Sequence, residues 1–136
     1  GRHTADGFSI DGKGYIGTGW DGGSYRKDFW EYDPSSNTWT QKADFGGGIR
    51  GSAVAFSIGG KSYVGTGWDG SNNYKDFWEY DPSANTWTQR ADFGGTVRGY
   101  AVGLSMGSKG YLGAGHDGSY RRDFWNIPRQ VSMPIN

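Results

Sequence analysis

Cysteine is absent from all 136 residues, which excludes disulfides, thiolate metal sites and cysteine nucleophiles together. That absence suits the cytosol and the exterior alike, and only the Asn, Gly, Thr and Trp content leans toward a secreted or cell-surface protein. Neither sign of charge is in excess, since fourteen Lys and Arg balance fourteen Asp and Glu. No polyanion, nucleic acid or anionic membrane is therefore expected as partner. Apolar runs are short, and none approaches the roughly 18 residues of a transmembrane helix. No leader-like segment stands at Gly1, so the chain reads as soluble, with no address and no membrane insertion. Leu, Ile and Met are scarce, so aliphatic packing alone cannot build the core.

What is abundant is glycine, at 26 residues, beside seven Trp, nine Tyr and seven Phe. Large rings supply the apolar surface, and glycines supply places to receive them. The two are arranged periodically. Gly17-Thr18-Gly19-Trp20-Asp21-Gly22 returns at 65–70 and, altered, as Gly113-Ala114-Gly115-His116-Asp117-Gly118, a period of 48 residues. Asp28-Phe29-Trp30-Glu31-Tyr32-Asp33-Pro34 returns at 76–82, Asn37-Thr38-Trp39-Thr40-Gln41 returns at 85–89, and Arg2, Arg50 and Arg98 keep the same step. A repeat of this length is one supersecondary unit that cannot bury its apolar faces alone and must stack on its neighbours.

Within each repeat the apolar residues alternate or form short stretches between turn signals, which predicts four strands and no helix. The first covers 5–10, 53–58 and 101–106, closing through Asp11-Gly12, Gly59-Gly60 or Gly107-Ser108, dipeptides that reach positive φ easily. The second covers 15–20, 63–68 and 111–116. A polar loop follows, one residue shorter in the third repeat, and this variation marks it as exposed. The third strand, 29–32 or 77–80, is stopped by Asp-Pro, and the fourth covers 38–41 or 86–89. Four antiparallel strands in a meander, repeated about an axis, make a propeller. The blades are set at about 1–48, 49–96 and 97–136, with the last strand of the third atypical or missing and residues 130–136 an outer strand or a tail.

Tyr15, the glycines leading to Gly19, Asp21-Gly22, Tyr32-Asp33-Pro34 and Trp39 together resemble the kelch repeat, over nearly the whole chain. The resemblance implies an all-β fold of kelch-type β-propeller blades, each a four-stranded antiparallel meander, in a partial propeller of about three blades. The family's glycine doublet stands here as Thr18-Gly19, Thr66-Gly67 and Ala114-Gly115, and the third repeat replaces Tyr-Asp-Pro by Ile127-Pro128-Arg129. Propellers need roughly four to eight blades to close, so the open faces are expected to be covered by the remainder of a longer propeller or by self-association. The simplest self-association is a homodimer closing six blades.

Most repeated residues read as scaffold. Gly17, Gly19 and their repeats lie in a strand with no helix after them, so packing against the large side chains of a neighbouring sheet is the reading, not phosphate binding. Trp30, Trp39, Tyr32 and their repeats are expected as core fillers. Asp21, Asp69 and Asp117 are turn formers without the oxygen-dense spacing of a calcium loop, and no metal site or cofactor is expected. In this family's fold the first strand lies nearest the central channel, which makes Arg2, Arg50 and Arg98 channel candidates for an anion. The alternative, adopted here, pairs each with a carboxylate such as Asp28, Asp76 or Asp123, because an unpaired buried guanidinium is costly.

Ligand-binding candidates fall on the loops between second and third strands: Trp20, Tyr25 and Arg26; Trp68, Asn72, Asn73 and Tyr74; His116, Tyr120 and Arg121. Rings beside Asn, Asp and Arg suit a sugar ring or a peptide segment. No catalytic residue is nominated. Some kelch propellers are enzymes, but the galactose oxidase type needs a cysteine crosslinked to tyrosine and two histidine ligands, and here His3 and His116 stand apart. The leading expectation is a noncatalytic binding or interaction module for carbohydrate, peptide or protein. The alternative is a sugar-active enzyme of the sialic acid mutarotase type, with its site at the channel mouth and its asymmetry in His116.

Overall fold

In a computed structural model the chain is described at residues 1–127 and 131–133, the last three by backbone alone. Blade 1 is built from β1 (Asp6–Ile10), β2 (Lys13–Gly17), β3 (Phe29–Asp33) and β4 (Thr38–Lys42). Blade 2 follows with β5 (Val54–Ile58), β6 (Lys61–Gly65), β7 (Phe77–Asp81) and β8 (Thr86–Arg90). Blade 3 holds β9 (Val102–Met106), β10 (Lys109–Gly113), β11 (Phe124–Ile127) and β12 (Val131–Met133). Each blade is one antiparallel sheet with strands neighbouring in chain order, and no helix occurs among the described residues.

The hairpins follow from local chemistry. Asp11 and Gly12 take φ of 49° and 79°, and Gly59 and Gly60 take 57° and 77°, the doubly positive geometry that matches strand twist. Between β3 and β4, the Asp33 carboxylate accepts from the Ser35 amide at 2.9 Å and Asn37 turns the chain at φ 54°. The second strands end earlier than the sequence predicts. Thr18, Thr66 and Ala114 take φ near +59° and Gly19, Gly67 and Gly115 near +92° to +95°, which ends the ladder at Gly17, Gly65 and Gly113. Trp20, Trp68 and His116 return as isolated bridges beyond that break. The left-handed geometry comes with Thr and Ala as well as Gly, although a β-branched residue is strained there.

The fourth strand of blade 3 is present but short. Val131–Met133 pairs antiparallel with β11, Trp125 opposite Ser132. The fate of 130 and 134–136 lies outside the described residues.

Two cores lie between blades. Phe8, Ile10, Tyr15, Phe29 and Phe45 of blade 1 close on Ala53, Ala55, Val64, Trp78, Tyr80 and Trp87 of blade 2. On its other face blade 2 presents Val54, Phe56, Ile58, Tyr63, Phe77 and Phe93 to Ala101, Leu112, Trp125 and Ile127 of blade 3. Each blade thus has a front face toward its predecessor and a rear face toward its successor. Burying one such side chain fully contributes about 1.5–3 kcal/mol, so these joints carry most of the favourable free energy.

Two expectations about fillers are corrected. A Cβ on Gly17 would come within 2.4 Å of the Phe29 ring and of the Asp28 carbonyl, so the strand glycines receive a phenylalanine of their own sheet, their cross-strand partner. An indole of the neighbouring sheet rests instead on Gly46, where a Cβ would meet the Trp78 ring at 2.6 Å and the Trp87 Cβ at 2.9 Å. Trp39 is not core: it is 55% exposed, because none of the described blades packs on the front face of blade 1.

Candidate functional site

The loops after the second strands and the links between blades emerge on one end of the array, and their geometry repeats. Arg50 donates to both oxygens of Asp76 (2.7 and 2.9 Å), to the Thr66 carbonyl at 2.6 Å and to the Gly47 carbonyl at 2.8 Å. Its guanidinium lies 3.9 Å from the Tyr74 ring centroid and 5.4 Å from that of Phe45. Arg98 repeats this with Asp123, the Ala114 carbonyl, Thr96 and the Phe93 ring. Both are fully buried. Trp30, Trp78 and Trp125 each donate an indole N–H to the same carboxylate at 2.8–2.9 Å. The Arg2 fork and partial burial act in opposite senses on Asp28, and the bonds hold its carboxyl below the ordinary range, as Arg98 does for Asp123. With their N–H groups directed at protein oxygens, Arg50 and Arg98 are joint residues and offer no free donors to an anion in a channel.

A second set of contacts locks each loop. Asp21 accepts from the Gly23 and Ser24 amides at 2.9 and 2.8 Å and from Arg26. Asp69 accepts from Ser71, Asn72 and the Tyr74 hydroxyl at 2.7–2.8 Å, and Asp117 from Ser119 and Arg121. Burial works against the Asp69 carboxylate, yet these bonds win and bring it down to about 2. For Asp21 the backbone amides lead in depressing it, and for Asp117 the Arg121 pair leads. Arg26, Tyr74 and Arg121 therefore spend their polar ends inside their own loops, as do the Asx turns.

The remaining candidates come together across the joints. Trp20 is bridged by backbone to His3 on one side and Tyr25 on the other, and its ring lies 4.9 Å from that of Tyr25. Tyr25 crosses to blade 2, where a Cβ on Gly51 would meet its ring at 2.7 Å. Between blades 1 and 2 this leaves a groove of about 530 Å³ lined by His3, Trp20, Tyr25, Ile49, Trp68 and Asp69, among others. Between blades 2 and 3 a groove of about 400 Å³ is lined by Trp68, Asn73, Tyr100, His116 and Asp117. Tyr120 packs edge-on to His116 at 4.9 Å and is 91% exposed. Trp68 is common to both grooves.

Two residues escape the sequence reading. Tyr100 occupies the position of Thr4 and Ser52, all three at φ of 55–58°, and there it is 68% exposed. Asp6 occupies the position of Val54 and Val102, accepts from the Thr18 hydroxyl at 3.2 Å and faces the Ala53 amide. Burial pushes its carboxyl up to about 6, against these bonds and the nearby Arg50. Both were findable in the sequence as lapses of the repeat within or before the first strand. Among the described residues no three His, Asp or Glu side chains gather as a metal site.

Comparison with known proteins agrees with this architecture. No curated protein matches the chain. Among solved structures, one titled "Structure of YjhT" superposes with a TM-score of 0.71 at 25% identity, covering 84% of this chain and 34% of its own. The chain thus spans about a third of that protein's length. The family profile described as the kelch motif matches residues 19–46 and 49–94, the last strands of blade 1 and nearly all of blade 2. The three meanders, their repeated Arg–Asp–Trp joints and this match place the chain in the kelch-repeat family.

Proposed function

We propose that the chain is a noncatalytic binding module that takes a neutral carbohydrate across the two inter-blade grooves. The observation that carries this reading is the position of Trp68, whose side chain lines both grooves with Trp20 and Tyr25 to one side and Asn73, Tyr100 and His116 to the other. Ring faces stack on the apolar faces of sugars, and indole N–H, amide and imidazole groups at their edges supply directional hydrogen bonds. The charged side chains of the loops are tied to one another, which leaves a surface with little net field. A peptide segment is the competing ligand. A glycan and peptide array probed with the intact assembly separates the two. Trp68→Ala is expected to lower binding of any glycan hit at least tenfold, while Lys61→Ala, on the opposite end of blade 2, leaves it unchanged. Glycan binding that survives Trp68→Ala, or hits confined to peptides, overturns the reading.

A sugar-active enzyme of the mutarotase type is the second reading, and Asp6 is the observation in its favour. It is a carboxyl held near 6 on the innermost strand, where the other blades carry Val. A group in that range suits general acid–base work near neutral pH. An NMR time course of anomer exchange decides: no acceleration by the protein removes this reading, and acceleration lost in Asp6→Asn supports it.

A further inference from the structure

Blade 1 fills the loop end of the joint that follows it with a ring, and blade 2 does not. The Tyr25 ring spans two glycines of blade 2, since a Cβ on Gly51 would meet its Cε1 at 2.7 Å and one on Gly70 its Cε2 at 3.3 Å. One repeat on, these glycines are Gly99 and Gly118, and the residue in the place of Tyr25 is Asn73, bridged to Trp68 as Tyr25 is to Trp20. Asn73 reaches Gly99, where a Cβ would meet it at 3.1 Å, but a Cβ on Gly118 would meet no described atom within 4 Å. A space that would hold one six-membered ring is thereby left open beside Gly118. It belongs to the groove of about 400 Å³ between blades 2 and 3, a volume in the range of small-ligand sites.

Two further lapses of the repeat meet at this space. Where blades 1 and 2 carry Thr4 and Ser52, blade 3 carries Tyr100 at φ 58°, held there by the bond from its amide to the Ser52 carbonyl at 3.1 Å. A bulky side chain is strained in that conformation, and at 68% exposure the ring recovers little of the cost by packing. Where blades 1 and 2 carry Trp20 and Trp68, blade 3 has His116, whose Nδ1 accepts from the Gly118 amide at 3.3 Å and so leaves Nε2 to donate. Asn73, Tyr100 and His116 are far apart in the chain, and each departs from what the other two blades carry. All three line one groove with Trp68.

We infer that this groove is the selective seat of the carbohydrate surface, taking one pyranose unit of a neutral glycan where blade 1 would place a tyrosine ring, with Tyr100 as its specificity-determining residue. The inference rests on the carbohydrate reading above. A pyranose is a six-membered ring of about the girth of a phenol, with hydroxyls around its edge. The Asn73 side chain makes no hydrogen bond among the described residues, and an apolar ring laid on it would bury its N–H groups without partners. A sugar hydroxyl accepts from them, and the His116 imidazole and Tyr100 hydroxyl add polar groups to the same groove. Trp68 carries the surface on into the neighbouring groove toward Trp20, so the seat takes one unit of a chain.

Protein-observed NMR titration with the methyl glycosides of glucose, galactose, mannose and N-acetylglucosamine tests the seat. At least one is expected to bind, and Asn73→Tyr, which gives blade 2 the ring that blade 1 carries, is expected to weaken it at least tenfold by exclusion. Tyr100→Ser, the residue of blade 2 at that position, is expected to weaken the same sugar at least threefold and to narrow the ranking among the glycosides. Near-UV circular dichroism and thermal midpoint are expected to hold in both variants, because each substitution restores the repeat; if Asn73→Tyr does not fold, Tyr100→Ser alone decides. Glycoside binding that survives either folded variant overturns the inference and leaves the carbohydrate reading standing. So does a trisaccharide that binds no tighter than its own methyl glycoside, which assigns the seat to a free sugar. Binding of p-cresol in place of any glycoside assigns the seat to a tyrosine side chain of a peptide and overturns both readings, as does the absence of all binding.

Discussion

The front faces of blades 1 and 2 carry nearly the same residues and have opposite fates. Trp87 is wedged between Phe29, Phe45 and Tyr80 at ring distances of 4.9–5.1 Å and donates to a carbonyl of the blade before it. Trp39, in an identical Asn-Thr-Trp-Thr-Gln segment, keeps among the described rings Tyr32 alone, at 5.0 Å, and stands more than half exposed. Likewise Arg50 is fully buried and Arg2 is not, although both grip an aspartate and a threonine carbonyl. The comparison teaches that in an array a residue's burial belongs to the joint, and a sequence motif specifies only what it offers to one.

The sharpest way to break this comparison is at the arginines. Arg50→Ala strands Asp76 and several carbonyls in a closed joint and is expected to cost about 3–5 kcal/mol, whereas Arg2→Ala removes a part-exposed pair worth under about 1 kcal/mol. Urea unfolding of the two variants measures the difference, and equal losses would show that burial at the joint is not what separates them. Next come the tryptophans. Trp87→Ala is expected to cost about 3 kcal/mol, in the range for large aromatic truncations, and Trp39→Ala well under half of that. A comparable loss at Trp39 would mean that its face is covered in solution. The smallest effect concerns pH. Asp6 has its folded value raised to about 6, so its folded form holds a proton that the unfolded form has given up above the ordinary range near 4. Its contribution to stability therefore falls as pH rises from about 4 to about 6. Asp6→Asn is expected to flatten that part of the stability profile. The profile below pH 4 should not change, because Asp69, Asp28 and Asp123 are depressed and their stabilisation is lost only as pH falls through their folded values.

Much of the scaffold was readable because each turn is dictated by two or three residues. Asp11-Gly12, Asp33-Pro34 and the alternation in 29–32 fix strands without any knowledge of their neighbours. The pairing of Arg50 with Asp76 was also within reach, since both keep the 48-residue step and a buried guanidinium requires a partner. Which face each ring takes was not. Phe29 and Trp30 are adjacent in sequence and point to opposite sides of the sheet, and periodicity cannot tell that the Phe fills its own glycine cradle and meets the next blade while the Trp at this position, as in Trp78, meets the blade before it. Nor could the loops be sorted. Arg26 and Tyr25 are adjacent residues of one polar loop, and only the Asp21 lock, set by the turn geometry, ties up the guanidinium of one while the ring of the other lines the groove. Asp6 stands out in the sequence only as a lapse of the repeat, a carboxylate where positions 54 and 102 carry Val.

The roof that Phe45 and Tyr74 place over Arg50 also bears on how the chain folds. Phe45 precedes Arg50 by only a few residues, while Tyr74 and Asp76 arrive from the following blade, so the end of one sheet and the middle of the next must be in place together before the guanidinium is desolvated. Folding is then a zipper that advances joint by joint, with short loops to close at each step and no blade completing itself alone. In hydrogen exchange the amides of Arg50, bonded to the Arg26 carbonyl, and Gly19, bonded to the Arg50 carbonyl, are expected to be the last to open. Those of Gly7 and Ser9, on β1, which pairs with β2 alone among the described strands, are expected to exchange first.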